Sequence, residues 1–212
     1  MRAFDALIRA IALKDPSTHR HSKRTATFAV ALARDLDLGV YSVGAIGVAA
    51  VLHDVGKVSV PDAILHKPGI LTDDEWAQIR SHSDVGATMV ERAGFPTLAR
   101  WIRHLHERFD GLGYPDGLVG GEIPFESRLL HVADTLEAMT SARPYRSPAL
   151  VEEALDVLEE SGGSQLDPVL APRLAALVRS GGVHVEQEPV TVASSAAATM
   201  TPLIAGASLA AV

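Results

Sequence analysis

The chain has no cysteine. Disulfides, thiolate zinc sites and cysteine nucleophiles are therefore excluded, and a reducing compartment is the natural setting. It also lacks a basic excess. Lys and Arg number 19 against 26 Asp and Glu, a net charge of −7, with a pI near 5.7. An acidic chain is a poor partner for nucleic acid, whose phosphates select positive surfaces. Long uninterrupted apolar runs are missing as well. Every such stretch contains a charge, a proline or a glycine, which argues against a membrane span. The first fifteen residues, MRAFDALIRAIALKD, are amphipathic and carry Asp5, unlike the apolar core of a cleavable signal peptide. No internal repeat and no convincing pair of alternating strands is present. These absences leave a soluble, acidic, cytoplasmic protein of 212 residues, one domain or one domain with a tail.

What the chain does have is helical periodicity. The pattern predicts helices over about residues 3–13, 18–36 and 42–53, the second with an apolar face of Phe28, Val30, Leu32 and Leu36. Residues 61–66 read as a short helical turn. Thr72-Asp73-Asp74-Glu75 has the form of a capping box opening a helix that carries Trp76, Ile79 and His82. Pro96 opens another, ending near Glu107. Five glycines and two prolines between residues 110 and 124 predict a loop. Helices resume over residues 128–140, 148–160 and 168–179, the last two with proline at the favoured first position and Gly-Gly just beyond. From residue 181 onward the composition shifts to Ala, Ser, Thr and Val, and after Glu188 there is no charge at all. That stretch reads as a poorly ordered tail with no assigned role, leaving residues 1–180 as the folded domain.

The chemistry-bearing residues begin with Leu52-His53-Asp54-Val55-Gly56-Lys57, which ends an apolar run. Burying His, Asp and Lys there is costly unless something pairs with them. A divalent metal would do so, and a helix C-terminus with a satisfied histidine and a solvated lysine is the equal alternative. Nine histidines in an acidic chain prompt a search for partners. His21, His82, His106 and Asp134 lie on separate predicted helices, each with an apolar face, as ligands projecting into a bundle interior should. Taken one at a time, each is better read as an ordinary hydrogen-bonded or surface residue.

Together they form an ordered set. Asp15-Pro16-Ser17-Thr18-His19-Arg20-His21 comes first, then the His53-Asp54 segment, then Val60-Pro61-Asp62 through Lys67-Pro68-Gly69. Ser81-His82-Ser83-Asp84-Val85-Gly86 follows. His106-Glu107-Arg108-Phe109-Asp110-Gly111-Leu112-Gly113-Tyr114-Pro115 is the most diagnostic stretch. Val132-Ala133-Asp134, Thr140-Ser141-Ala142-Arg143-Pro144-Tyr145-Arg146 and Leu166-Asp167-Pro168 complete it. From about residue 5 to 170 the chain resembles the HD-GYP domains, a branch of the HD-type metal phosphohydrolases. The resemblance implies an all-α HD-domain bundle with a metal centre in its interior, holding two or sometimes three iron or manganese ions. It implies hydrolysis of cyclic dinucleotides, chiefly cyclic di-GMP, in bacterial second-messenger signalling. By position, it assigns His21, His53, Asp54 and Asp134 to a first metal, with Asp54 bridging, and His82 and His106 to a second. Lys57 would neutralise the scissile phosphate, Arg143 and Arg146 would contact phosphate or guanine, and Tyr114 would border the substrate. Family analogy adds a homodimer and a diguanylate-cyclase-type partner on the Gly-Tyr-Pro loop. His19, His66, His131 and His184 match no ligand position and are expected to be ordinary histidines.

Such a site suits a phosphodiester, whose charge repels hydroxide. Two metals lower the pKa of a bridging water and offset charge building on the phosphate, and Lys or Arg adds stabilisation there. Oxygen and nitrogen donors suit iron, manganese and zinc alike.

Two positions depart from the family. Where members usually carry two adjacent histidines before the glutamate, this chain reads Leu105-His106, so the second metal lacks a ligand. His104 cannot replace it on a continuing helix, lying about 100° around the axis from position 105 and about 200° from His106. It could serve only if the helix loosened there. Ser17 occupies the place of the glutamate found in three-metal members, so a third ion is not expected. Three readings follow: a cyclic-dinucleotide phosphodiesterase, a catalytically weak relative acting as a nucleotide- or protein-binding signalling module, or a mononuclear hydrolase of another phosphate ester.

Overall fold

The computed structural model describes residues 2–142 and 147–186. Ten α-helices are described: α1 Arg2–Lys14, α2 Pro16–Asp35, α3 Val40–Leu52, α4 Asp62–Leu65, α5 Asp73–Arg80, α6 His82–Arg92, α7 Pro96–Arg103, α8 Phe125–Thr140, α9 Val151–Glu160 and α10 Leu170–Arg179. Among the described residues there is no β-strand, only an isolated bridge between Gly162 and Leu166. The described residues form an all-α bundle. No helix among these residues is long and apolar enough to cross a membrane.

Helix α2 begins where Asp15 caps it, its carboxylate accepting from the Ser17 and Thr18 amides at 2.8 and 3.3 Å, with Pro16 in the first turn. Such a cap satisfies donors that a helix start otherwise leaves unpaired. The buried residues Thr18, His21, Ser22, Thr25, Phe28, Ala29, Leu32 and Ala33 recur at spacings of three and four, one stripe facing inward. Its C-terminal half is apolar core, and its N-terminal half carries His21 on the same stripe. The stripe packs against α3 and α8. Helix α8 is buried from Leu129 to Thr140, as a central helix surrounded by others must be. It presents His131, Asp134 and Glu137 at steps of three, and α9 and α10 cover it from another side.

The turn after α3 is placed by an unusually close contact. A 3-10 segment, Val55–Ser59, lies against α6. A Cβ on Gly56 would sit 1.9 Å from the His82 carbonyl oxygen and 2.7 Å from the Gly86 amide, so only glycine lets the two backbones meet. This contact brings Asp54 and His82 to one place.

Several sequence-predicted boundaries need correction. The Thr72–Glu75 capping box forms, with Thr72 N donating to Glu75 at 2.7 Å and Glu75 N to Thr72 Oγ1 at 3.3 Å. Its helix ends at Arg80, however, and His82 opens the next one. The Ser81 hydroxyl takes the Gln78 carbonyl (2.7 Å) and His82 Nδ1 takes that of Ile79 (2.6 Å), which draws two acceptors away from the helical ladder. Helix α7 stops at Arg103 rather than near Glu107, because residues 104–107 tighten into turns closed by Leu105 N to Ile102 O and Glu107 N to His104 O. Helix α9 starts at Val151, not Pro148, since the Ala149 amide is bonded to Met139 O at the end of α8. Helix α10 starts at Leu170, not Pro168, where the Asp167 carboxylate accepts from the Val169 and Leu170 amides. Most of the predicted tail, residues 187–212, lies outside the described residues.

Candidate metal centre

Six side chains converge from four helices or their ends and one turn. His21 comes from α2, His53 and Asp54 from the end of α3, His82 from the start of α6, His106 from the turn after α7 and Asp134 from α8. All six are buried. Each of three histidines is oriented by a bond at its rear nitrogen. His21 Nδ1 pairs closely with Glu137 Oε2, His53 Nδ1 faces Ala50 O at 2.7 Å, and His82 Nδ1 faces Ile79 O at 2.6 Å. A carbonyl or carboxylate accepts only, so Nδ1 carries the proton and a neutral ring leaves Nε2 bare.

Those bare nitrogens point at carboxylates. His21 Nε2 is 2.8 Å from Asp134 Oδ1 and 3.8 Å from Asp54 Oδ2. His53 Nε2 is 3.4 Å from Asp54 Oδ2 and 3.5 Å from Asp134 Oδ1. On the other side of the same aspartate, His82 Nε2 is 3.6 Å from Asp54 Oδ1 and 3.1 Å from His106 Nε2. The Asp134 carboxylate is buried, and its Oδ2 has no hydrogen-bond partner. With neutral rings, lone pairs would face lone pairs in a dry interior, which is unfavourable unless a proton or a metal cation lies among them. The donor set fits that need. The ligand atoms of His21, His53 and Asp54 lie within 4.8 Å of one another, as do those of Asp54, His82 and His106, and nitrogen–oxygen sets of this kind suit divalent ions.

The electrostatics divide the cluster in two. Burial alone would lower the His21 pKa, but Asp134 and Glu137 outweigh it and raise it to about 9. His53 is likewise raised, burial being outweighed by Asp54 and Asp134. Asp54, despite a burial penalty, is held well below its usual range by His53 and Lys57. Asp134 is lowered too, burial being overcome by His21 and His53. His82 falls to about 4 through burial, against the pull of Asp54, and His106 falls well below its usual value through burial and the neighbouring His82.

Lys57 Nζ sits 3.0 Å from Asp54 Oδ2, placing a cation beside the carboxylate. Lys14, Thr18, Val58 and Leu65 line a tight crevice beside Asp54 and Lys57. Tyr114 stacks on His106. Arg143 and Arg146 lie outside the described residues.

Glu137 has no role in the sequence reading, although it is the residue that orients His21. Its signal was a spacing of three from Asp134, which puts both on one helix face. Glu107 is a second such residue. It is buried, and its carboxylate accepts from the Asp116 and Leu118 amides at 2.7 and 3.1 Å, folding the glycine loop back. His104, Glu107 and Asp116 also come together, but Arg103 already pairs with Asp116, and Glu107 is engaged by the loop. His104 is thereby turned to this loop, and Leu105 is buried in the apolar core. The α7 helix does loosen before the loop, yet no imidazole takes the missing place. His131, expected to be ordinary, is a satisfied core histidine, with Nδ1 3.0 Å from Glu107 O and Nε2 3.4 Å from Gln165 Nε2.

A family model described as HD domain matches residues 5–170. A cyclic di-GMP phosphodiesterase of Thermotoga maritima is 39% identical over 158 residues, covering 73% of this chain and 43% of the relative. The cyclic di-GMP phosphodiesterase response regulator RpfG of Xanthomonas campestris is 41% identical over 166 residues, covering 76% and 44%. A cyclic GMP-AMP-specific phosphodiesterase of Vibrio cholerae superposes with a TM-score of 0.64 at 18% identity, covering 83% of this chain and 48% of that one. The chain spans less than half the length of these relatives.

Proposed function

The chain belongs to the HD domain family, in its HD-GYP branch, and from that premise we propose that it hydrolyses a phosphodiester bond of a cyclic dinucleotide, cyclic di-GMP foremost. The observation that carries this reading is the placement of Asp54. Its Oδ2 faces His21, His53 and Lys57, while its Oδ1 faces His82, the disposition of a carboxylate shared by two cations. His21, His53, Asp54 and Asp134 would hold a first ion, and Asp54, His82 and His106 a second. Iron or manganese is proposed for both, with zinc also compatible with the donors. Bound there, a divalent pair would supply a water of lowered pKa and offset charge on the phosphate.

The protein's own groups do the rest. Lys57 provides a positive charge where the scissile phosphate gains negative charge, in a dry site where that interaction is strong. Glu137 and the Ala50 and Ile79 carbonyls hold the imidazoles in the tautomer that leaves Nε2 free. We assign Arg143, Arg146 and Tyr114 to substrate, following the sequence resemblance. The Gly-Tyr-Pro loop, where Leu112 and Val119 are exposed, is the surface we assign to a cyclase-type partner, and residues 1–180 are the unit that acts.

Leu105 favours a second reading, a weak or mononuclear phosphohydrolase, because no described histidine replaces the missing ligand. Metal analysis beside a cyclic di-GMP hydrolysis assay separates the two. Two ions per chain with cleavage supports the first reading. One ion, no cleavage of cyclic dinucleotides and turnover of nucleotide monoesters would replace it with the second.

A further inference from the structure

His106 is held differently from the other three histidines. His21, His53 and His82 each have Nδ1 fixed by a hydrogen bond, whereas His106 Nδ1 is buried with no partner. Such rear contacts ordinarily set the tautomer and orientation of a ligating imidazole. In their place, the His106 ring lies against Tyr114, with centroids 5.1 Å apart and planes 20° from parallel. The Arg80 guanidinium lies 5.4 Å from the centroid of the Tyr114 ring and 5.9 Å from that of Trp76. Arg80 is on the surface, with its guanidinium beside these two rings. The Tyr114 hydroxyl is buried with no hydrogen-bond partner, so what this residue contributes is its ring.

We propose that Tyr114 and Arg80 are positioning residues for His106, orienting the second-ion ligand by a chain of ring contacts, Trp76–Arg80–Tyr114–His106, in place of a hydrogen bond. The physics is consistent at each link. Stacked rings prefer this separation, and a guanidinium over an aromatic face is attracted by the ring quadrupole. These contacts also tie α5 and the Gly-Tyr-Pro loop to one half of the metal centre, with no comparable link to His21 or His53 among the described residues. The inference rests on the reading of His106 as a ligand.

The test uses the full chain, stripped of metal and titrated with Mn²⁺, comparing Tyr114→Leu, Tyr114→Phe and Arg80→Gln with the wild type by calorimetry. Tyr114→Leu should weaken the second ion about tenfold, the lower end of what loss of an orienting contact does, and leave the first unchanged. Tyr114→Phe keeps the ring and should match the wild type; Arg80→Gln, a surface change, should weaken the second ion less than Tyr114→Leu does. Equal affinities in the Leu and Phe variants would overturn the proposal, as would equal loss at both ions. NMR of the His106 ring in metal-free protein gives a separate readout. The ring signals should broaden or shift in Tyr114→Leu and not in Tyr114→Phe. A wild type that takes up one ion while the ring signals respond as expected would refute the two-ion reading and leave the positioning role standing. Unchanged ring signals would refute the positioning role itself.

Discussion

Around Asp54 the two halves of the cluster differ in charge, in anchoring and in completeness. The half facing α2 and α8 has two carboxylates, Asp54 and Asp134, and two histidines whose rear nitrogens are bonded to Glu137 and Ala50 O. The half facing α6 and α7 has one carboxylate oxygen, a histidine bonded to Ile79 O, and His106, whose Nδ1 has no hydrogen-bond partner. Leu105, which by the resemblance takes the place of a further imidazole, lies in the core. A cation is held by charge and by donors that need no rearrangement. The first half supplies both by itself, while the second depends on sharing Asp54 and on the packing behind His106. The halves should therefore fill in order.

The largest expected effect removes what the halves share. Asp54→Ala should leave the purified chain without bound metal and abolish phosphodiester cleavage; full metal content by elemental analysis would refute the assignment. Gly56→Ala attacks the contact between them. A methyl group 1.9 Å from the His82 carbonyl forces the turn off α6, so the second ion should be lost before the first, with a fall in stability of several kcal/mol, the range of severe core strain. Retention of both ions and of the thermal midpoint would show that the turn relaxes instead. Glu137→Gln probes the first half alone. Loss of the anionic partner of His21 should weaken the first ion roughly 10- to 100-fold, leaving the ring signals of His82 unchanged. Equal weakening at both ions would mean that the halves are not separable.

The smallest effect, and the most direct on the asymmetry, comes from Leu105→His. The second ion should bind more tightly and cleavage should rise. The metal-free protein should lose about 1–3 kcal/mol, because an imidazole without a partner replaces an apolar side chain in the core. No change in affinity or rate would show that position 105 is not what limits the second half.

Parts of this were readable along the chain because they are local. The Thr72–Glu75 capping box and the stripe that carries His21 each depend on residues within one or two turns. Other parts were not. His82 was expected inside a helix and instead opens one, because its own side chain and Ser81 compete for backbone acceptors. The expectation that α7 runs to Glu107 failed because Glu107 bonds to the amides of a loop nine and eleven residues further on. Glu137 and Arg80 drew no notice, since what marks them is a neighbour reached through the fold.

The sequence by itself determined the helical character of the chain, the Thr72–Glu75 cap and the order of His and Asp residues, all properties of residue type and near spacing. Tertiary structure alone decided that Asp54 stands between two sets of histidines, that Glu137 backs His21, and that His106 leans on Tyr114. Those relations join residues as many as 116 positions apart. They exist only once helices pack, because the burial that makes each unpaired lone pair costly is itself a product of that packing.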